Sequence, residues 1–202
     1  MRISMTDISA GLAFAVLALL APAAAMAQQA GPAPNWTGLY AGVHGGVGAG
    51  SIRGGSATGG LVGGQVGFNA QADRVVLGVE ADGTSSGFEH KGFNGGGQTF
   101  RQKWVGSLRG RAGYAFDQVM PYGTIGVAAS SNEFSDGGGK ADKKTLGWAV
   151  GAGLEAKLTE RISARGEVIH YALGTGTYNT PVATYRLDSR TNVLRAGVNY
   201  RF

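Results

Sequence analysis

From residue 36 to the end of the chain, apolar and polar residues alternate with a period of two, in stretches separated by clusters of Gly, Asp, Asn and Ser. A period of two puts successive side chains on opposite faces, so the pattern predicts strands with one apolar and one polar face. Eight stretches carry it. They are 36–49 (Leu39, Ala41, Val43 and Val47 on the apolar face), 61–71 (Val62, Val66, Phe68, Ala70), 75–84 (Val75, Leu77, Val79, Ala81) and 101–116 (Trp104, Leu108, Ala112, Tyr114). The second half gives 121–130 (Ile125, Val127, Ala129), 145–158 (Leu146, Trp148, Val150, Ala152, Leu154), 161–171 (Ile162, Ala164, Val168) and 191–202 (Leu194, Ala196, Val198, Tyr200, Phe202).

The connections alternate in length. Tight turns are expected at 72–74, 117–120 and 159–160, and long loops at 51–60, 85–99, 131–144 and 173–190. Long loops at one end and short turns at the other describe an up-and-down sheet, and outer-membrane barrels have short periplasmic turns and longer external loops. The expected fold is all-β, an eight-stranded antiparallel up-and-down transmembrane β-barrel. An even strand number places both ends of the barrel segment on the short-turn side.

Alternation alone does not say which face meets water, since a lipocalin-like barrel alternates with its apolar face inside. Three features turn the apolar face outward here. The polar face carries acids and bases at matching depths on neighbouring stretches: Glu80 and Asp82, Arg109 and Arg111, Glu155, Arg165 and Glu167, and Arg195. Eight strands enclose a space that side chains fill, and charges buried there must be paired. Glycines such as Gly42, Gly46, Gly67, Gly126, Gly151 and Gly153 lie on that face, leaving gaps for long side chains. Finally, Trp36, Phe68, Trp104, Tyr114 and Trp148, with Tyr200 and Phe202, fall near stretch ends, as in aromatic girdles at the two lipid–water boundaries.

The first 27 residues read as a signal peptide: Arg2, an apolar run through Ala25, and the small-x-small site Ala25-Met26-Ala27. Residues 28–35, with Pro32 and Pro34, form a periplasmic lead-in, and 36–202 the barrel. After the signal there is no apolar run long enough for a spanning helix.

Composition narrows the chemistry. There is no cysteine, hence no disulfide or thiolate metal site. The net charge of +5 is scattered, and the densest cluster, Lys140 to Lys144, contains its own Asp142 and reads as a solvated loop, so no nucleic-acid partner is expected. The glycine-rich 45–51 lacks the Lys of a phosphate loop. His44, His90 and His170 have no metal-ligand spacing; His44 is expected in the lumen, His90 in a loop, and His170 on the apolar face near the outer rim. Some barrels of this size modify lipids, but Ala172 is the same-face neighbour of His170 and no serine is placed for activation. Neither catalytic residues nor a cofactor are expected.

The stretches "NWTGLYAGVHGGVG", "GVEAD", "SLRGRAGYAF", "GWAVGAGLEAKL" and "LRAGVNYRF" occur in the order seen in the small alpha-proteobacterial outer-membrane β-barrel family of porin-like, opacity-type immunogenic proteins, which the chain resembles over 35–202. The resemblance implies an outer-membrane location and a structural, weakly porin-like or surface-antigen role without enzyme activity. It also implies that Phe202, helped by Tyr200 and Val198, is read by the barrel-assembly machinery. A wall-binding domain found on larger relatives is not expected here. The expected surroundings are outer-membrane lipid and lipopolysaccharide, with a monomer favoured. Three roles follow as expectations: a plugged barrel supporting envelope integrity and displaying loops, a small low-conductance pore, or a loop-mediated binding module. Mass spectrometry of the mature amino terminus should find Gln28; an uncleaved Met1 would show the apolar run to be an anchor.

Overall fold

The computed structural model describes residues 35–52, 55–86, 89–91, 99–135, 140–179 and 184–202, with side chains omitted at 51–57, 86–103, 132–144 and 175–189. The signal segment, most of the lead-in, and the side chains of Lys140 to Lys144 and His90 lie outside these residues.

The strands are β1 (Gly38–Ile52), β2 (Gly55–Ala72), β3 (Val75–Ser86), β4 (Glu89–Lys91), β5 (Thr99–Tyr114), β6 (Val119–Ser135), β7 (Lys140–Lys157), β8 (Ile162–Asn179) and β9 (Thr184–Arg201). All pair antiparallel with sequence neighbours, β1 pairs with β9, and β3 pairs with β5, so eight strands close a barrel. The ninth, β4, is a three-residue extension that pairs only with the outer end of β5. Closure leaves no free sheet edge within the barrel wall, the condition for crossing hydrocarbon with strands.

The apolar set of each expected stretch faces outward. Val43 is 66 % exposed, Ile125 68 % and Leu146 75 %, whereas Arg109, Glu80 and Glu167 are each 1 % exposed. This inversion of soluble-protein burial identifies hydrocarbon as the outer solvent.

Strand length departs from the expectation. A tilted strand needs about 9–11 residues to cross the membrane, yet β2, β7, β8 and β9 have 18 residues each. Most of the polar sequence expected as loops is therefore strand. Residues 51–52 and 55–60 are the paired ends of β1 and β2, "KADKK" begins β7 rather than lying in a loop, and much of 173–190 belongs to β8 and β9. Pairing continues because each hairpin arm already has its partner in register, and in water the polar residues cost nothing. The turns at the other end stay short, with Asp73 and Asp117 at positive φ (54° and 45°), a conformation Asp tolerates better than most residues.

Two glycines show what the inward face requires. A Cβ on Gly67 would lie 2.4 Å from the Tyr40 hydroxyl, because the hydroxyl end of the Tyr40 ring occupies the space over this glycine. A Cβ on Gly126 would lie 2.0 Å from the backbone oxygen of Leu108 and 2.6 Å from Cα of Arg109. Gly83, by contrast, has open space. Overpacking costs about 1–3 kcal/mol or more where neighbours cannot move, so Gly67→Val and Gly126→Val should abolish the boiling-sensitive electrophoretic shift of the folded barrel, while Gly83→Ala should retain it.

Candidate functional site: the charged lumen

The ion network is built by strand geometry. Glu80 on β3 stands directly opposite Arg109 on β5, and Glu167 on β8 opposite Arg195 on β9. From these registered pairs the side chains reach across the barrel. Arg109 donates to Glu80 (2.6 Å), Asp82 (2.9 Å) and Glu167 (2.6 Å), joining β3 to β8. Arg195 meets Glu167 at 2.9 Å and Asp82 at 3.3 Å. Arg165 pairs closely with Glu80 and lies 3.5 Å from Glu167, while Arg111 pairs with Glu155. Every side chain in these pairs is at most 1 % exposed. Four guanidinium groups thus meet four carboxylates in the space the alternation reserved for polar residues.

Neutral partners complete the carboxylates. Tyr40 donates to Glu80 at 2.7 Å, Ser107 to Asp82, and Ser163 and Asn199 to Glu155. His44 points inward, its ring nitrogens contacting Gln65 and, at 2.9 Å, Thr84; Gln65 in turn donates to Asn199 at 2.6 Å. A hydrogen-bonded chain therefore runs from β3 through β1 and β2 to β9 and β7. Sequence reasoning did not single out Tyr40, Gln65, Ser107 or Ser163. Their signal was inward parity on a glycine-flanked strand, which polar residues of many roles share.

The lumen is layered, which the alternation did not reveal. Toward the extracellular side, Leu61, Ala128, Ala149, Ile169, Tyr171, Leu173 and Val193 form a buried apolar cluster. On β8 the alternation fails: Val168, Ile169, Tyr171, Ala172 and Leu173 are all apolar or aromatic, because the strand here packs lipid on one face and this cluster on the other. Toward the periplasm, Trp36 corrects the expectation of an outward girdle residue. It is fully buried with Val76, Ala115 and Met120 and closes the lumen from below. Its backbone N–H donates to Gln71 at 2.6 Å, Lys157 and Arg201 lie over its ring at 5.2 and 4.8 Å, and both donate to the Asn35 carbonyl. A tryptophan preceding the first strand is held by the cations of the rim and turned inward, away from lipid.

The other expected girdle residues lie on the outer surface. Tyr114, Phe116, Tyr200 and Phe202 are exposed at the periplasmic end, with rings paired at 4.7 and 5.2 Å, and Phe68 is exposed nearby on β2. Trp148 lies nine positions from Lys157, and Trp104 ten from Tyr114, about one membrane crossing above that belt. Val198 is outward too, between the girdle and mid-wall. His170 faces outward, with Nδ1 2.7 Å from Asn192 Oδ1 and its ring against Trp148. Among the described residues no group of three or more His, Asp or Glu is arranged to hold a metal ion.

The outer membrane protein beta-barrel domain family matches residues 13–202. The chain is 34% identical over 176 residues to the 25 kDa outer-membrane immunogenic protein of Brucella abortus, covering 85% of this chain and 81% of that protein. This chain belongs to the outer-membrane β-barrel family. It is also 33% identical over 172 residues to a 22 kDa outer membrane protein of Rhizobium leguminosarum, covering 85% of this chain and 80% of that protein. Among solved structures, Neisserial surface protein A shares the fold with TM-score 0.56 and 18% identity, covering 82% of this chain and 98% of that one. Ail, the attachment invasion locus protein of Yersinia pestis, does so with TM-score 0.52 and 14% identity, covering 82% and 99%. The barrel family, its exposed apolar wall and its closed sheet place the protein in the outer membrane.

Removing one partner of a buried ion pair costs about 3–5 kcal/mol because the remaining charge stays buried. Arg109→Met should accordingly lower the urea midpoint of the detergent-folded barrel sharply, and Arg109→Lys should lower it less. Combining Arg109→Met with Glu80→Gln should recover part of the loss. Purely additive effects would show that the two residues are not coupled.

Proposed function

We propose that this family member is a sealed structural barrel that braces the outer membrane and holds polar hairpins above it, with neither transport nor catalysis as its task. The observation that carries the reading is the filled lumen: an apolar layer, a neutralised ion layer and a tryptophan stopper follow one another along the axis. An ion crossing it would have to separate paired charges and pass two apolar layers, and both steps are costly. Hairpins that continue as paired strand beyond the aromatic belts are suited to surface display. The immunogenic naming of the Brucella relatives accords with that role. Within this reading, Phe202, Tyr200 and Val198 serve recognition by the barrel-assembly machinery during insertion, and the upper wall contacts lipopolysaccharide.

Single-channel recording in planar bilayers tests the proposal. The wild-type barrel should show no stable openings. Arg109→Ala and Glu80→Ala should mainly reduce resistance to unfolding, without a steady current. A persistent conductance in the wild type that grows in these variants would make the protein a small pore instead.

A further inference from the structure

The outer wall is not uniformly filled. The outward residues Ala112, Gly123 and Ala152 stand in register across β5, β6 and β7, and the row continues to Val168 and Leu194 on β8 and β9. The next outward row toward the periplasm runs Pro121, Leu154, Gly166 and Ala196. Small residues occupy positions where other parts of the wall carry Val43, Val66, Leu108 or Ile125. The result is an open apolar groove of about 600 Å³, walled by Tyr114, Pro121, Leu154, Val168 and Leu194, within the size range of small-molecule sites.

Depth and charge identify an occupant. The groove begins beside the last residues of β5 and the first of β6, above the aromatic belt of Tyr114 and Phe116, and climbs across the tilted strands. It therefore lies in the hydrocarbon of the periplasmic leaflet. Beneath it, the β7–β8 turn exposes Glu160 and Arg161 side by side, and Arg161 is steadied by the Tyr200 hydroxyl at 3.3 Å. Lys157 and Asp117 occupy the same rim. An acid adjoining a base at headgroup depth complements a zwitterion better than a group of single sign.

We propose that this groove binds one phospholipid of the periplasmic leaflet with a zwitterionic ethanolamine headgroup. An acyl chain lies along the row of small residues, the phosphate meets Arg161 and the ammonium meets Glu160. The inference rests on the membrane placement of the wall and is independent of whether the lumen conducts.

Native mass spectrometry of the full mature protein, delipidated in mild detergent and titrated with phosphatidylethanolamine, phosphatidylglycerol or lipid A, tests it. The wild type should take up one phosphatidylethanolamine per chain in preference to the other two. Filling the groove with Ala152→Phe, or with Ala112→Leu if the first variant does not fold, should raise the dissociation constant about tenfold, the equivalent of roughly two methylenes displaced. The boiling-sensitive shift should persist in the variant used. Arg161→Gln, which leaves the wall intact, should weaken binding of phosphatidylethanolamine and phosphatidylglycerol alike, because both carry the phosphate, whereas Glu160→Gln should erase the preference for phosphatidylethanolamine over phosphatidylglycerol. A folded, membrane-extracted wild type with no adduct would overturn the proposal while leaving the barrel intact, as would equal retention by the filled variants. Preferential uptake of lipid A would overturn it too, and so would a dimer cross-linked through Ala152→Cys, which would assign the groove to a second copy of the chain. Absence of the protein from membranes would instead overturn the placement on which the inference rests.

Discussion

Charge neutrality inside a narrow cylinder governs this structure. An outer-membrane barrel gains little specificity from its outer face, because lipid accepts any apolar side chain. Definition of the fold comes from the lumen, where Arg109, Arg111, Arg165 and Arg195 have to find Glu80, Asp82, Glu155 and Glu167 away from water. A pairing slip of one residue would turn charges toward hydrocarbon. A slip of two would keep the faces but part Glu80 from Arg109 and Glu167 from Arg195, which stand directly opposite each other. The network thus fixes register, although a buried pair is by itself weak evidence of net stability. The glycines serve the same end: Gly67 makes way for Tyr40 and Gly63 for His44, so polar groups reach the carboxylates and amides they satisfy.

Much of this could be read from the chain because a strand writes its two environments on alternate residues. Strand faces, antiparallel order, short-turn end and the residues of the ion layer all follow from parity and turn chemistry. Parity does not report depth. It could not separate Ile169 from Glu167, which share an inward face but belong to an apolar and an ionic layer. Nor could it say where pairing stops, since polar residues in water are equally compatible with loop and with extended hairpin; hence the strands run well past their expected outer limits. Trp36 was misplaced for a related reason. It precedes the first strand, where no alternation fixes its direction, and its position is decided by Lys157, Arg201 and Gln71, all distant in sequence.

The same reasoning accounts for the groove on the outer wall. Small outward residues are invisible to a hydrophobicity pattern, because alanine and glycine satisfy it as readily as leucine. Only the register that aligns Ala112, Gly123 and Ala152 on three strands turns three unremarkable positions into one depression.

The stopper beneath the lumen carries a consequence for how the molecule is made. Asn35 and Trp36 are gripped by Lys157 from β7 and Arg201 from β9, the latter strand completing the cylinder against β1. Until the last strand has zipped to the first, half of that grip is missing. Seating of the tryptophan is therefore a terminal event in biogenesis, a lock that engages only on a finished cylinder, and a chain stalled with an open seam would leave its amino-terminal segment hanging loose in the periplasm.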